Sequence, residues 1–140
     1  MSCILRFWGK DFNPKKAIEG VPLAADKVWL AGERRFPDST KILTLNKSSG
    51  VNFLVSTAEF SELPLQIEHA TSFLATHHAW LASLSSAPGL EGSIIDFGAE
   101  ISNPFSQSYS FPPALLAALG KANITLGLSI YPCDDATEDA

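Results

Sequence analysis

Three histidines, two cysteines and a pair of carboxylates on one strand are the residues of this chain whose types could do chemistry. His69, His77 and His78 fall within one helical stretch, but none are four apart and no H-E-x-x-H occurs, so the zinc-protease pattern is absent. Cys3 and Cys133 stand near opposite ends and form no C-x-x-C, so no metal ligand set is read from them. They flank the first and last predicted strands, and a disulfide would be geometrically open to them if those strands were neighbours; reduced thiols are the expectation. Cys3 lies on a predicted core face, where it reads as a small hydrophobe. Asp96 and Glu100 share a strand face, but four residues of strand separate their backbones by roughly 13 Å. That is wider than the roughly 5 to 9.5 Å between paired glycosidase carboxylates. Neither a G-x-S-x-G elbow nor a Gly-rich phosphate loop occurs. The sequence therefore assigns no catalytic residue, no metal and no cofactor.

What remains is a binding surface. Arg6, Trp8, Asp96, Glu100 and Tyr131 are expected on the polar face of a sheet, together with Asn52, Thr125 and Ser129. An enzyme would have to draw its titratable groups from Arg6, Asp96, Glu100 and Tyr131 on that face. Arg34 and Arg35, adjacent in a loop, could clamp an anion or a carboxylate, although loop charges are commonly just solvated.

The elements that must position these residues follow from periodicity. Ser2 to Trp8 alternates, with Cys3, Leu5 and Phe7 facing one way and Ile4, Arg6 and Trp8 the other, a half-buried strand. Asn13 then caps a short helix with Pro14 at its first position and Gly20 just past its end. Val28 to Leu30 is a brief strand. Lys41 to Leu45 and Val51 to Ser56 read as two strands of a hairpin, joined by a loop over 46–50 in which Gly50 could take a left-handed position. The longest element is a helix over residues 61–85, whose stripe Phe60, Leu63, Ile67, Ala70, Leu74, His77, Leu81 and Leu84 recurs at spacings of three and four. Ser61 is its expected cap, which would leave Pro64 in the first turn. Ser93 to Ile101 is a strand, 112–120 a helix and Ile124 to Tyr131 the last strand. This pattern predicts an α+β fold: one antiparallel or mixed sheet of five to six strands with helices on one face, ferredoxin-like with additions. Residues 1–133 form a single domain, and 134–140 an acidic tail expected to be disordered.

Composition bounds the partners. The 140 residues are 46% hydrophobic and 18% charged, a globular balance with net charge −5. Residues 1–50 hold nine Lys/Arg against five Asp/Glu, whereas residues 51–140 hold one against ten. Such an acidic portion argues against nucleic acid and suits another protein with a basic surface. The apolar runs are too short to cross a bilayer, and the first residues lack the pattern of a signal peptide, so a cytoplasmic protein without membrane association is expected. Self-assembly into a homo-oligomer remains a third class of function.

Two stretches carry a resemblance. Asp11 to Ile18 leading to Pro22 and to Trp29-Leu30-Ala31-Gly32-Glu33 is one; Phe111 to Leu116 leading into Leu126 to Tyr131 is the other. Together they resemble a bacterial domain-of-unknown-function family. That family has no established activity, and the resemblance implies for some members an immunity-type inhibitor that neutralises a toxin. With the charge balance and the absence of catalytic motifs, the function expected is a cytosolic protein-binding domain. No functional residue is carried over, because Ser129 stands where that family often has an acid before the final tyrosine.

Overall fold

The computed structural model describes residues 2–101 and 106–132. Nine elements follow one another: β1 (Cys3–Gly9), α1 (Pro14–Ala17), β2 (Lys27–Trp29), β3 (Ser49–Ser56), α2 (Leu63–Thr76), α3 (His78–Ser85), β4 (Gly92–Glu100), α4 (Pro113–Lys121) and β5 (Thr125–Tyr131). The strands form one sheet in the order β2-β3-β1-β4-β5. β1 runs antiparallel to both β3 and β4, β2 antiparallel to β3, and β5 parallel to β4. A parallel pair needs a crossover, and α4 supplies it. The fold is thus α+β on one mixed sheet, as the alternation of apolar and polar residues predicts; the ferredoxin-like detail is not established by this strand order.

Alternation decides which face is covered. Cys3, Leu5 and Phe7 of β1, Val51 and Phe53 of β3, and Ile95, Phe97 and Ala99 of β4 are buried under the helices. The helical stripe meets them with Leu63, Ile67, Ala70 and Leu74 from α2, Leu81 and Leu84 from α3, and Leu115 and Leu119 from α4. One polar side chain is fully enclosed there. Gln66 donates from Nε2 to the carbonyls of Glu59 (2.9 Å) and Gly98 (2.7 Å), and its Oε1 accepts from Gly98 N–H at 3.1 Å. It ties α2 to the middle of the sheet and leaves its own amide satisfied.

Three expectations are corrected. The helix over 61–85 is two helices, α2 and α3, meeting at His77 (φ −106°, ψ 15°). There Trp80 Nε1–H donates to His77 Nδ1 at 2.8 Å, the rings of Phe73, His77 and Trp80 meet one another in tilted or edge-on contacts, and Trp80 also packs against Phe53. Glu62, not Ser61, occupies the cap position of α2, with Pro64 in the first turn where a missing N–H is tolerated. Lys41 to Leu45 is not a strand: Leu45 makes only an isolated bridge to Arg34, and the strand beside β3 is β2. Ser49 and Gly50 therefore belong to β3 itself rather than to a hairpin loop. Gly50 is needed for lack of a side chain, not for a left-handed backbone, since a Cβ there would stand 2.6 Å from Trp29 Cε2 and 2.6 Å from Phe7 O.

The capped first helix is as expected. Asn13 Oδ1 accepts from Lys16 N–H at 3.2 Å, with Pro14 at the first helical position. β1 pairs with β3 and β4, whereas β5 pairs with β4, so the first and last strands are not neighbours. Cys133 and the acidic 134–140 segment lie outside the described residues.

Candidate functional site

On the face opposite the helices, the strands present Lys27 and Trp29 (β2), Gly50 and Asn52 (β3), Arg6 and Trp8 (β1), then Gly92, Ile94, Asp96 and Glu100 (β4). Register fixes the neighbours: Lys27 opposes Asn52, which opposes Arg6, and Trp29 opposes Gly50, which opposes Trp8. The two indoles lie flat because glycines leave room for them. Trp29 rests on Gly50, and Trp8 on Gly92, where a Cβ would stand 2.9 Å from its Cε2.

Beside Trp29 the face sinks into a cleft of about 490 Å³, walled on the outside by the segment that connects β2 to β3. That connection is fastened to the sheet. Gly32 N–H donates to Asn46 O (2.9 Å), Asn46 N–H to Glu33 O (2.8 Å) and Arg35 N–H to Thr44 O (2.8 Å). At its base Asn46 Nδ2 donates to Leu30 O (3.1 Å), and Ala31 N–H to Ser49 Oγ (2.8 Å). A connection this long with its own hydrogen bonding is commonly a binding loop.

The cleft is lined by four cationic side chains, Arg6, Lys27, Arg35 and Lys47, and by no carboxylate. Asn46, Asn52, Thr44 and Ser48 add neutral polar groups, and Trp29 and Leu45 the apolar wall. Arg6 is held in place: its Nε–H donates to Asn52 Oδ1 at 3.1 Å. That bond uses the acceptor of Asn52 and leaves the amide donors of Asn52 and the terminal nitrogens of Arg6 for a ligand. A second cleft, of about 460 Å³, shares Lys27, Trp29, Arg35 and Asn46 and brings in Glu33 and Arg34. Donors and cations held in a concave site are what an anion needs, and the volume is that of a small-molecule site, commonly about 300 to 1,000 Å³.

The residues singled out from sequence divide between this cleft and other places. Arg6 and Arg35 line it. Arg34 is turned to its own loop, donating from Nη2 to the carbonyl of Ser39 and, at 3.4 Å, to that of Ile42, so the expected Arg34–Arg35 clamp is not formed by both. Trp8, two residues further along β1 than Arg6, does not line the cleft. Asp96 is on the strand next to Arg6 but opposes Ile4, and it accepts from Ser129 Oγ with both carboxylate oxygens, at 2.9 and 3.1 Å. Glu100 and Tyr131 oppose each other at the far end of β4 and β5, where Tyr131 stacks on Phe60 with centroids 4.7 Å apart. Arg6, Asp96, Glu100 and Tyr131 therefore share a face but not a pocket.

The histidines point to separate partners: His69 Nδ1 to Ser56 Oγ (2.7 Å), His77 Nδ1 to Trp80, and His78 Nδ1 to Ala75 O (3.0 Å). Among the described residues no three His, Cys, Asp or Glu side chains gather to hold a metal ion, and no helix is long and apolar enough to cross a membrane. Cys3 is fully buried, and burial, with the Asp96 carboxylate adding to it, raises its pKa far above the ordinary thiol value. Such a thiol stays protonated and is no nucleophile at neutral pH.

Lys27, Trp29 and Lys47 are the site residues that sequence reasoning passed over. The signal was present in two places: the excess of nine Lys/Arg within residues 1–50, and the alternation Lys27-Val28-Trp29, which puts a cation and an indole on one face. Comparison with protein-family models, with curated proteins and with solved structures finds no match to this chain.

Proposed function

We propose that this protein is a small-molecule-binding domain whose working site is the cleft on the open sheet face, and that its ligand is a polyanion. The observation that carries this reading is the cleft's lining of Arg6, Lys27, Arg35 and Lys47 without a carboxylate. Like charges set around one concavity repel each other unless an anion is present. Arg6, braced by Asn52, supplies a planar donor fork, and the lysines supply point charges. The test is thermal unfolding with inorganic tripolyphosphate. At a tenfold excess over Kd the midpoint rises by about 4 °C, because such an excess adds about 1.4 kcal/mol and a chain of this length gains about 3 °C per kcal/mol. The rise shrinks with added salt and disappears in Arg6→Ala/Lys27→Ala. An unchanged midpoint, or an equal rise in that double variant, refutes the reading.

A second reading, a protein-binding domain of immunity type acting on a basic partner, draws on the opposite charge. Glu68 of α2, its cap residue Glu62 and Glu59 just before them are exposed on the helical side of the molecule. A one-signed surface of that kind steers encounter with a basic protein. It predicts that tripolyphosphate leaves the midpoint unchanged while a basic partner is retained at low salt and released at high salt.

A further inference from the structure

We infer that the cleft takes a nucleotide, with the base stacked on the Trp29 indole and a di- or triphosphate chain among the cations; this rests on the polyanion-binding reading above. The indole is placed as a platform. One side of it is seated on Gly50, so its ring plane is fixed against the sheet, and the same residue lines both the cationic cleft and the cleft beside it. An aromatic face next to donors for phosphate is the arrangement that base-bearing anions use, since every base has a π face to stack. The charge count selects the length of the phosphate chain. A phosphomonoester carries about −1.5 to −2 at pH 7, so it would leave two of the four cations unmatched. A di- or triphosphate, with about one further negative charge per added phosphate, matches Arg6, Lys27, Arg35 and Lys47. The planar Arg6 guanidinium and the free amide of Asn52 stand on adjacent strands, where they can donate side by side to phosphate oxygens.

Calorimetric titration of the whole chain at low ionic strength with ADP, inorganic pyrophosphate and adenosine tests the assignment. ADP is expected to bind about tenfold or more tighter than pyrophosphate, the gain a base–aromatic stack provides, and adenosine more weakly than either. Trp29→Leu should weaken ADP about tenfold more than it weakens pyrophosphate, whereas Trp8→Leu, whose indole lies outside the cleft, should change neither. The comparison of the three ligands on the unaltered chain stands even if Trp29→Leu does not fold. Pyrophosphate binding as tightly as ADP would overturn the base platform and leave the polyanion cleft standing. If neither ADP nor pyrophosphate binds at millimolar concentration, both readings fall. Adenosine binding as tightly as ADP would overturn the role given to the cations, and a short oligoadenylate displacing ADP a hundredfold more effectively than ADP itself would replace the nucleotide by a strand.

Discussion

Replacing Gly50 by alanine should both weaken the fold and dismantle the wall of the cleft. A Cβ at this position would stand 2.6 Å from Trp29 Cε2 and 2.6 Å from the carbonyl oxygen of Phe7. The indole belongs to a three-residue edge strand and can swing away, giving up its seat on the sheet. That costs up to about 2 kcal/mol of apolar burial. Phe7 O cannot follow, because β1 is held between β3 and β4 at the centre of the sheet. Forcing β3 away from it costs about 1 to 3 kcal/mol, the usual range for overpacking. Together these give about 1 to 5 kcal/mol, and at about 3 °C per kcal/mol the midpoint falls by about 3 to 15 °C. The assay is thermal unfolding followed by circular dichroism, with Gly120→Ala as the internal control. Gly120 lies in α4 with nothing within 4 Å of an added Cβ, so there the same change should stabilise by up to about 1 kcal/mol through helix propensity. A Gly50→Ala protein melting within about 2 °C of the parent would refute the packing argument. So would a Gly120→Ala protein that falls as far.

Gln66→Leu keeps side-chain volume close but removes the donor to Gly98 O and Glu59 O and the acceptor for Gly98 N–H. Leaving a buried carbonyl unmatched costs about 1 to 3 kcal/mol, so chemical denaturation should show about 2 kcal/mol lost; no loss would mean that water takes over these groups. Cys3 supplies a dependence on pH. Its folded pKa is raised, first by burial and then by Asp96, above the ordinary 9.0. The unfolded chain therefore releases this proton at lower pH than the folded one, and the stability held in the neutral thiol is intact below pH 9.0 and declines as pH rises above it. Stability measured at pH 8 and pH 10 should fall further for the parent than for Cys3→Ala; equal falls would show that the thiol is not held neutral.

Much of the architecture was legible because burial leaves a period in the sequence. β1, β3 and β4 announce themselves by alternation, and α2 with α3 by a stripe that runs through both. The break at His77 was not legible. The stripe keeps its spacing across it, and the contacts found at the break, a side-chain bond from Trp80 and a tilted ring contact with Phe73, are ones that periodicity does not encode. Lys41 to Leu45 was misread for a related reason. Its residues have strand-like character, but β3 offers one free edge there and β2 already occupies it. Competition for an edge is a tertiary fact, and local propensity is weak against it.

The candidate site was harder to see because linear bookkeeping of charge hides what topology does with it. Counted along the chain, the acidic excess after residue 50 dominates and suggests a basic partner. Folding separates the two signs instead. Lys27 and Arg6 come from β2 and β1, which are distant in sequence but flank β3, so their side chains fall on either side of Asn52. Arg35 and Lys47 arrive on the connection between β2 and β3, closed over the same spot by the hydrogen bonds of Asn46 and Arg35. Glu33 borders the adjoining cleft, but the acids after residue 50 go elsewhere: Asp96 is bonded to Ser129 at the β4–β5 side of the face, and Glu59, Glu62 and Glu68 stand exposed around α2. A net charge of −5 is thus compatible with a strongly cationic cleft, because a ligand in contact with four cations feels them at a few ångströms, whereas acids beyond a Debye length of about 8 Å are largely screened by salt. The same segregation explains why Arg6 and Asp96, though on neighbouring strands, work as separate groups: each already has a neutral partner, Asn52 or Ser129, that fixes its direction.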